Sequence, residues 1–374
     1  MIDKFKFWFH PMIGGTGIQS LLESYYNINF EEYDLSKIDK SKKNVFVFFW
    51  ETSISINLEH KTNTQSFFDL LKELNELDFY FLADYTTESN YHIDEERVQF
   101  LNKLSEYIRL NKFYLVTNNS DVREIQYDKH LINHLHFPHF LLATPLKMSE
   151  YIDEISHHEA SEPTKDFLCL NRRVHAHKFK FVNRLSERGL LPYTNLSLVV
   201  NKTNPNLMRG SSLVTELNID IDNFQSIQLE NDVMYGNEFD TADQHLYTIN
   251  PKWYFDSKVN IVIETNVGDS PTHLTEKTFK PIYLERPFVI YGTKLHLKKL
   301  NEFGFNTFVD DIGEYDCTNI DSVIDAAIKL SLSYSKEEVI KKCKWNRQVL
   351  MDYSSSRNII NEYFLKNLIK NLVI

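Results

Sequence analysis

A chain of 374 residues exceeds what one hydrophobic core usually organises, so two domains of about 150 to 200 residues each are expected. With 42% apolar and 25% charged residues it falls in the globular range rather than the disordered one. A net charge of −11 opposes a large, uniformly basic nucleic-acid surface, which leaves only a local basic cleft open to such a ligand. No apolar stretch approaches the roughly 20 residues that span a bilayer, and the start MIDKFKFWFHPMIGG lacks a signal-type pattern. Cys169, Cys317 and Cys343 are too scattered for a disulfide framework. A cytoplasmic protein without a membrane span is expected, and the sequons at Asn118, Asn195 and Asn201 are then coincidental.

In chain order, Phe5–Phe9 reads as a strand, followed by the loop His10–Gly17 and a helix to about Tyr26. Asn44–Trp50 (NVFVFFW) is a near-continuous apolar run, the pattern of a strand covered on both faces. A helix at about Thr64–Glu76, a strand at Phe79–Ala83, a helix at about Asp94–Arg109 and a strand at Phe113–Thr117 follow. Residues 137–165 change character and read as a linker, with Pro138, Pro145 and Pro163 around one short helix. A second series opens with a strand at Asp166–Leu170, a helix at about Ala176–Arg188 stopped by Gly189, and a strand at Asn195–Val200. Residues 201–250 are polar and turn-rich. Order returns with strands at Val259–Glu264, Pro287–Tyr291 and Thr307–Val309, a helix from about Thr275 and an amphipathic tail over Ser355–Val373. Strands alternating with helices imply parallel, doubly wound sheets. The expected fold is therefore α/β, with two Rossmann-like domains.

Two segments carry chemistry. In the first, FLCLNRRVHAHK from Phe167 to Lys178, a strand delivers Arg172, Arg173 and Lys178 to a strand-to-helix turn. Ligands of open parallel sheets bind beyond the carboxyl ends of strands. Guanidiniums and a helix N-terminus both favour a phosphate there; a cationic loop facing water is the other reading. In the second, VNIVIETNVGDSPTHLTEKTFKP from Val259 to Pro281, a buried strand ends at Glu264 and Thr275-Glu276-Lys277 opens a helix. Thr275 as cap and Glu276 in the first turn suit a helix start without any ligand. Lys277 and Lys280 do not, because cations are unfavourable near the positive end of a helix unless an anion meets them.

These two segments, in this order, resemble the donor-binding half of fucosyltransferase-type GT-B glycosyltransferases over roughly residues 166–315. Asn171 stands at the asparagine of that family's first turn, and Lys178 stands where the family has a phosphate-binding arginine. Glu264 and Asn266 resemble its Glu-Asn strand end with Thr265 inserted between them, and Glu276 and Lys277 match the pair that contacts ribose and diphosphate. Lysine for arginine loses the bidentate fork, which Arg172 or Arg173 would have to supply. His273 replaces an aromatic residue and leaves the base undetermined. The resemblance implies a cleft between the domains. An acceptor domain would cover 1–150, a nucleotide-sugar domain 166–354, and a helix over 355–374 would cross back to the first domain.

Further candidates lie in the N-terminal half. Gly14, Gly15, Thr16 and Gly17 follow the first strand, either as a loop that admits a phosphate or sugar or as a simple tight turn. Asp84 and Glu51, at strand ends, are candidates for the base that deprotonates an acceptor hydroxyl, although an acid at a strand end is more often a helix cap or a solvated turn. His130, His134, His136 and His139 have no acid or cysteine nearby to complete a metal set, and Asp220-Ile221-Asp222 lacks the apolar strand that a metal-binding Asp-x-Asp follows. The expected activity is metal-independent transfer of a sugar from a nucleoside diphosphate-sugar to a saccharide or other hydroxyl acceptor. The nucleotide sugar is a substrate, so no cofactor is implied. The rivals are a modified DNA base as acceptor and a non-catalytic nucleotide- or anion-binding module.

Overall fold

The computed structural model describes residues 5–9, 18–19, 22–23, 28–49, 61–86, 95–118, 124–127, 130–149, 162–171, 175–198, 249–270 and 272–355. They divide into two compact units, the first ending at His139 and the second running from Phe140 to Ser355. Each is a mostly parallel β-sheet flanked by helices, a Rossmann-like α/β arrangement.

The first unit holds strands β1 (Phe5–Phe9), β2 (Phe30–Glu32), β3 (Lys43–Phe49), β4 (Tyr80–Tyr85), β5 (Phe113–Thr117), β6 (Glu124–Tyr127) and β7 (His130–His136). Helices α1 (Lys61–Glu76) and α2 (Glu95–Tyr107) belong to the same unit. The strand order is β2-β1-β3-β4-β5-β7-β6, parallel except for the terminal β6–β7 pair. The apolar runs explain this sheet. Phe46, Phe48, Phe81, Phe113 and Trp8 are fully buried and meet Phe68 and Leu71 of α1 and Phe100 and Leu104 of α2. Each such aromatic contributes about 2–3 kcal/mol on burial. The Trp8 indole N–H donates to Asn44 Oδ1 at 3.0 Å, so the buried ring leaves no polar atom unmet.

The second unit holds β8 (Lys165–Asn171), β9 (Thr194–Leu198), β10 (Ser257–Gly268) and β11 (Phe288–Thr293), all parallel, in the order β11-β10-β8-β9. Helix α3 (His139–Met148) starts at the division between the units. Around the small sheet lie α4 (Ala176–Glu187), α5 (Pro251–Phe255), α6 (Glu276–Tyr283), α7 (His296–Glu302), α8 (Val309–Ile312), α9 (Ile320–Ser333) and α10 (Glu337–Ser355). Gly189 ends α4 at φ +68°, a left-handed residue that lets Leu190 N–H return to Leu185 O at 2.9 Å. The chain moves outward from β8 to β9 and then returns to the other side of β8 as β10. The strand order therefore reverses between β8 and β10, and in open parallel sheets the crevice beyond the strands' carboxyl ends lies at such a reversal.

Several expectations need correction. Thr307–Val309 is not a strand: Phe308 adopts φ +61° and Val309 starts the short α8. The histidine-rich segment His130–His136, to which the sequence pattern assigns no element, is a strand that pairs with both β5 and β6. Strand β10 runs four residues past Glu264, with a register irregularity between Ile263 and Gly268. The polar stretch up to residue 248 and the tail from residue 356 lie outside the described residues.

Candidate functional site

Helices α4 and α6 follow β8 and β10, the strands on either side of the reversal. Their first turns carry Lys178 and Lys277. Thr275 caps α6 as expected, its hydroxyl accepting from Lys277 N–H at 3.3 Å. The helix is only eight residues long, which places Lys280 in the last turn, where a cation suits the dipole. Lys277 alone of the two lysines therefore sits at the unfavourable end.

Glu264, fully buried on β10, anchors that helix. Its Oε1 accepts from Thr275 N–H at 3.2 Å and from Thr278 Oγ1 at 2.6 Å, and its Oε2 accepts from Thr275 Oγ1 at 2.7 Å. Three donors on one carboxylate satisfy most of its acceptor capacity and fix the helix start to the strand end. Thr278 was not among the sequence candidates. Its signal is the Thr-x-x-Thr spacing, which sets two hydroxyls one turn apart on a helix beginning beside a buried acid. The Glu264 peptide carbonyl also meets His177 Nε2 at 3.0 Å, tying α4 to the same strand end. Burial, with the Lys178 and Lys277 charges, pushes His177 down to about 4. The ring is neutral at pH 7, and Nε2 carries the hydrogen that it donates to that carbonyl.

Glu276 is buried and lies 3.1 Å from Lys277 Nζ. Burial alone would raise its carboxyl, but Lys277 and Lys280 outweigh burial and hold it below the usual carboxylate range. Lys277 Nζ also lies 3.2 Å from Thr275 Oγ1 and 3.5 Å from Thr265 Oγ1. Glu276 in turn raises the buried Tyr254 phenol of α5, after burial itself.

Lys178 differs from these groups. Its residue is 3% exposed, yet it makes no hydrogen bond or ion pair to a described residue. Burial and the Lys277 charge lower its amine to about 7, against the opposing pull of Glu276, Glu264 and the Cys169 sulfur. At the end of β8, Asn171 is fully buried. Its peptide N–H donates to Ser197 Oγ at 3.2 Å and its Nδ2 to Cys169 Sγ at 3.2 Å, while Oδ1 meets no donor among the described residues. Asn266 is buried near the end of β10. The structure thus brings Lys178, Glu264, Glu276 and Lys277 into one electrostatic cluster, with Asn171 and Asn266 at the ends of the two flanking strands. Arg172 and Arg173 lie outside the described residues.

In the first unit, Asp84 ends β4 and is fully buried. Its Oδ2 accepts from Ile18 N–H at 2.9 Å, and its Oδ1 accepts from Thr86 N–H at 3.0 Å and Thr86 Oγ1 at 2.8 Å. This is the geometry of a carboxylate pinning a helix start and a turn. The order of this sheet reverses between β1 and β3, from whose carboxyl ends the chain continues into residues 10–17 and 50–51. Glu51 and the Gly14, Gly15, Thr16, Gly17 loop are outside the described residues. His134 Nε2 lies 2.7 Å from Thr117 Oγ1. Among the described residues no group of three metal-ligating side chains could hold an ion, and no helix is long and apolar enough to cross a membrane.

Compared with known families the chain matches no family model, and compared with curated proteins it matches no sequence.

Proposed function

We propose that the chain is a glycosyltransferase whose nucleoside diphosphate-sugar donor sits where the order of the four-stranded sheet reverses. One observation carries this reading. Lys178 and Lys277, in the first turns of the two helices that flank the reversal, set two lysine amines where helix dipoles already favour an anion. Negative charge grows on the departing diphosphate as the sugar–oxygen bond breaks. Lysine ammonium groups meeting that charge supply the kind of electrostatic stabilisation that dominates such reactions. Glu276 offers a carboxylate to ribose hydroxyls beside Lys277. Asn171 Oδ1 offers an unused acceptor. The acceptor is a saccharide or another hydroxyl compound, and its base is Glu51 or Asp84, of which Asp84 already accepts three hydrogen bonds within its unit.

The test is a panel of nucleotide sugars screened for thermal stabilisation, then for transfer and slow hydrolysis. A donor present at 100 times its dissociation constant stabilises the fold by roughly 2.7 kcal/mol. Stabilisation by one donor together with turnover supports the reading. Stabilisation by a free nucleotide with no hydrolysis of any sugar conjugate makes the protein a nucleotide-binding module. No response to any phosphate ligand sinks both.

A further inference from the structure

The donor-site reading treats Lys178 as a permanent cation, but its surroundings do not supply what a permanent buried cation needs. A buried ammonium is retained when it is paired or fully hydrogen-bonded. The groups that face Lys178 can be taken element by element. From α6 come Lys277, a second cation, and Glu276, whose carboxylate is 3.1 Å from the Lys277 ammonium. From β10 comes Glu264, whose two oxygens already accept from Thr275 and Thr278. From β8 comes Cys169, whose thiol is held protonated because burial pushes it up to about 12. On α4 itself His177 is neutral at pH 7, and the positive end of that helix disfavours another cation. Both nearby acids are thus committed to other partners, and the remaining neighbours among the described residues are cationic or neutral.

We infer that the site binds its anion together with a proton: Lys178, buried among neighbours already engaged, gives up its proton readily and regains one from solvent when a phosphate- or sulfate-like anion arrives, so that binding is proton-coupled. The inference rests on the anion site proposed above and adds how that site responds to pH. The proton count closes simply. One solvent proton adds to the Lys178 amine lone pair, and the ammonium so formed faces the arriving anion, with no other bond made or broken. The near-neutral value of Lys178 puts this change in the physiological range. The neighbouring groups with resolved shifts titrate elsewhere: His177 well below it, Cys169 well above it, and Glu276 below the usual carboxylate range. The lysine at this position is the reason. An arginine stays charged at every accessible pH and would bind without this coupling.

The experiment uses the full chain and sulfate, an anion that keeps its charge across the range. Its dissociation constant is measured by titration calorimetry from about pH 6 to pH 9 at fixed ionic strength, with ADP, GDP and UDP as second probes of the site. Linkage of one proton to a group titrating near 7 weakens sulfate binding about fifty-fold between about pH 7 and pH 9. Repeating the titration in buffers of different ionisation heat should show close to one proton taken up at the upper end. Lys178→Arg should bind with a flat pH profile, and Lys178→Met should bind weakly with a flat profile. Lys277→Arg should keep the slope, which separates the two lysines. A flat wild-type profile without proton uptake overturns the coupling and leaves the anion site standing. A slope that persists in both Lys178 variants also overturns it. If neither sulfate nor any of the three diphosphates binds at any pH, the donor-site reading itself fails. The wild-type curve decides the matter even if a variant does not fold.

Discussion

Replacing Lys178 with methionine should stabilise the empty protein while weakening its hold on anions. The sign follows from linkage. Lys178 titrates at 10.5 when unperturbed and near 7 in the fold, mainly because burial disfavours its charged form, with Lys277 adding to the effect. Between those values the unfolded chain holds a proton that the folded one does not, so stability rises with pH through that window. The penalty is fully present below about pH 7 and gone above about pH 10.5. At about 1.4 kcal/mol per unit it amounts to about 4 kcal/mol near neutrality. Methionine keeps the chain length and removes the charge, but Glu276 and Glu264 lose a cationic neighbour. The net gain expected is therefore about 2–4 kcal/mol near neutral pH, fading as pH approaches 10. Native-state hydrogen exchange at the amides of β8 and β10 reports the second unit by itself, which matters because a chain of two units need not unfold in one step. Slower exchange in Lys178→Met near neutrality, with a difference that shrinks at higher pH, is the expected result. A variant less stable than the parent in the absence of ligand would refute the reasoning, because it would mean that the ammonium has a stabilising partner.

The other expectations concern single contacts. Lys277→Ala should weaken nucleoside diphosphate binding by roughly 1.5–3 kcal/mol and leave a phosphate-free nucleoside unaffected, as read by calorimetry on both ligands. Gly292→Ala would put a Cβ 2.6 Å from His296 Nδ1, the atom that accepts from Thr293 N–H. A loss of about 1–3 kcal/mol in denaturant unfolding should follow. Asp84→Ala strips the acceptors from Ile18 N–H and from Thr86, so exchange at β4 amides should accelerate by the equivalent of about 2–4 kcal/mol. A variant of Asp84 that loses turnover but keeps this protection would instead point to a role in proton transfer.

The parallel strands were legible because burial on both faces leaves a near-continuous apolar signature. Asn44–Trp50 predicts β3 to within one residue at each end, and Phe113–Thr117 coincides with β5. The end of β8 was legible to within one residue and Thr275 caps the helix as predicted, but β10 outruns its predicted end at Glu264. Other elements carried weaker signals. The edge strand β2 has three residues and one apolar position, too little for any periodicity. Strand β7 (HLINHLH) breaks the period-2 alternation, with Leu131-Ile132 and Asn133-His134 side by side, and it buries His134, which Thr117 meets across the sheet. Thr307–Val309 looked like a strand because β-branched residues surround Phe308, but the left-handed Phe308 turns the chain there. The role of Glu264 was hidden for another reason. Its donors, Thr275 and Thr278, lie 11 and 14 residues downstream, and their convergence is a product of the fold. The near-neutral amine of Lys178 was equally hidden, because it depends on which neighbours are already occupied.

Cations elsewhere in the same unit show why that occupancy matters. Lys258 is paired with Asp166 at 2.8 Å, Lys342 with Asp311 at 2.7 Å, and Arg347 with Glu285 at 3.0 Å. Arg286, buried without a carboxylate, still gives its Nη2 hydrogen to Ser257 O at 2.6 Å and lies against the rings of Phe255 and Tyr334. These four cations thus meet acids, a carbonyl or aromatic faces. At Lys178 the fold meets a buried amine with a second lysine, a neutral imidazole and two carboxylates engaged elsewhere. Folding gains nothing from that arrangement. A diphosphate arriving where the sheet order reverses would gain from it: two ammonium groups, two helix N-termini and a spare carbonyl oxygen on Asn171 would act together there. The energy withheld from the empty fold at Lys178 is then the energy available to distinguish a bound anion from water.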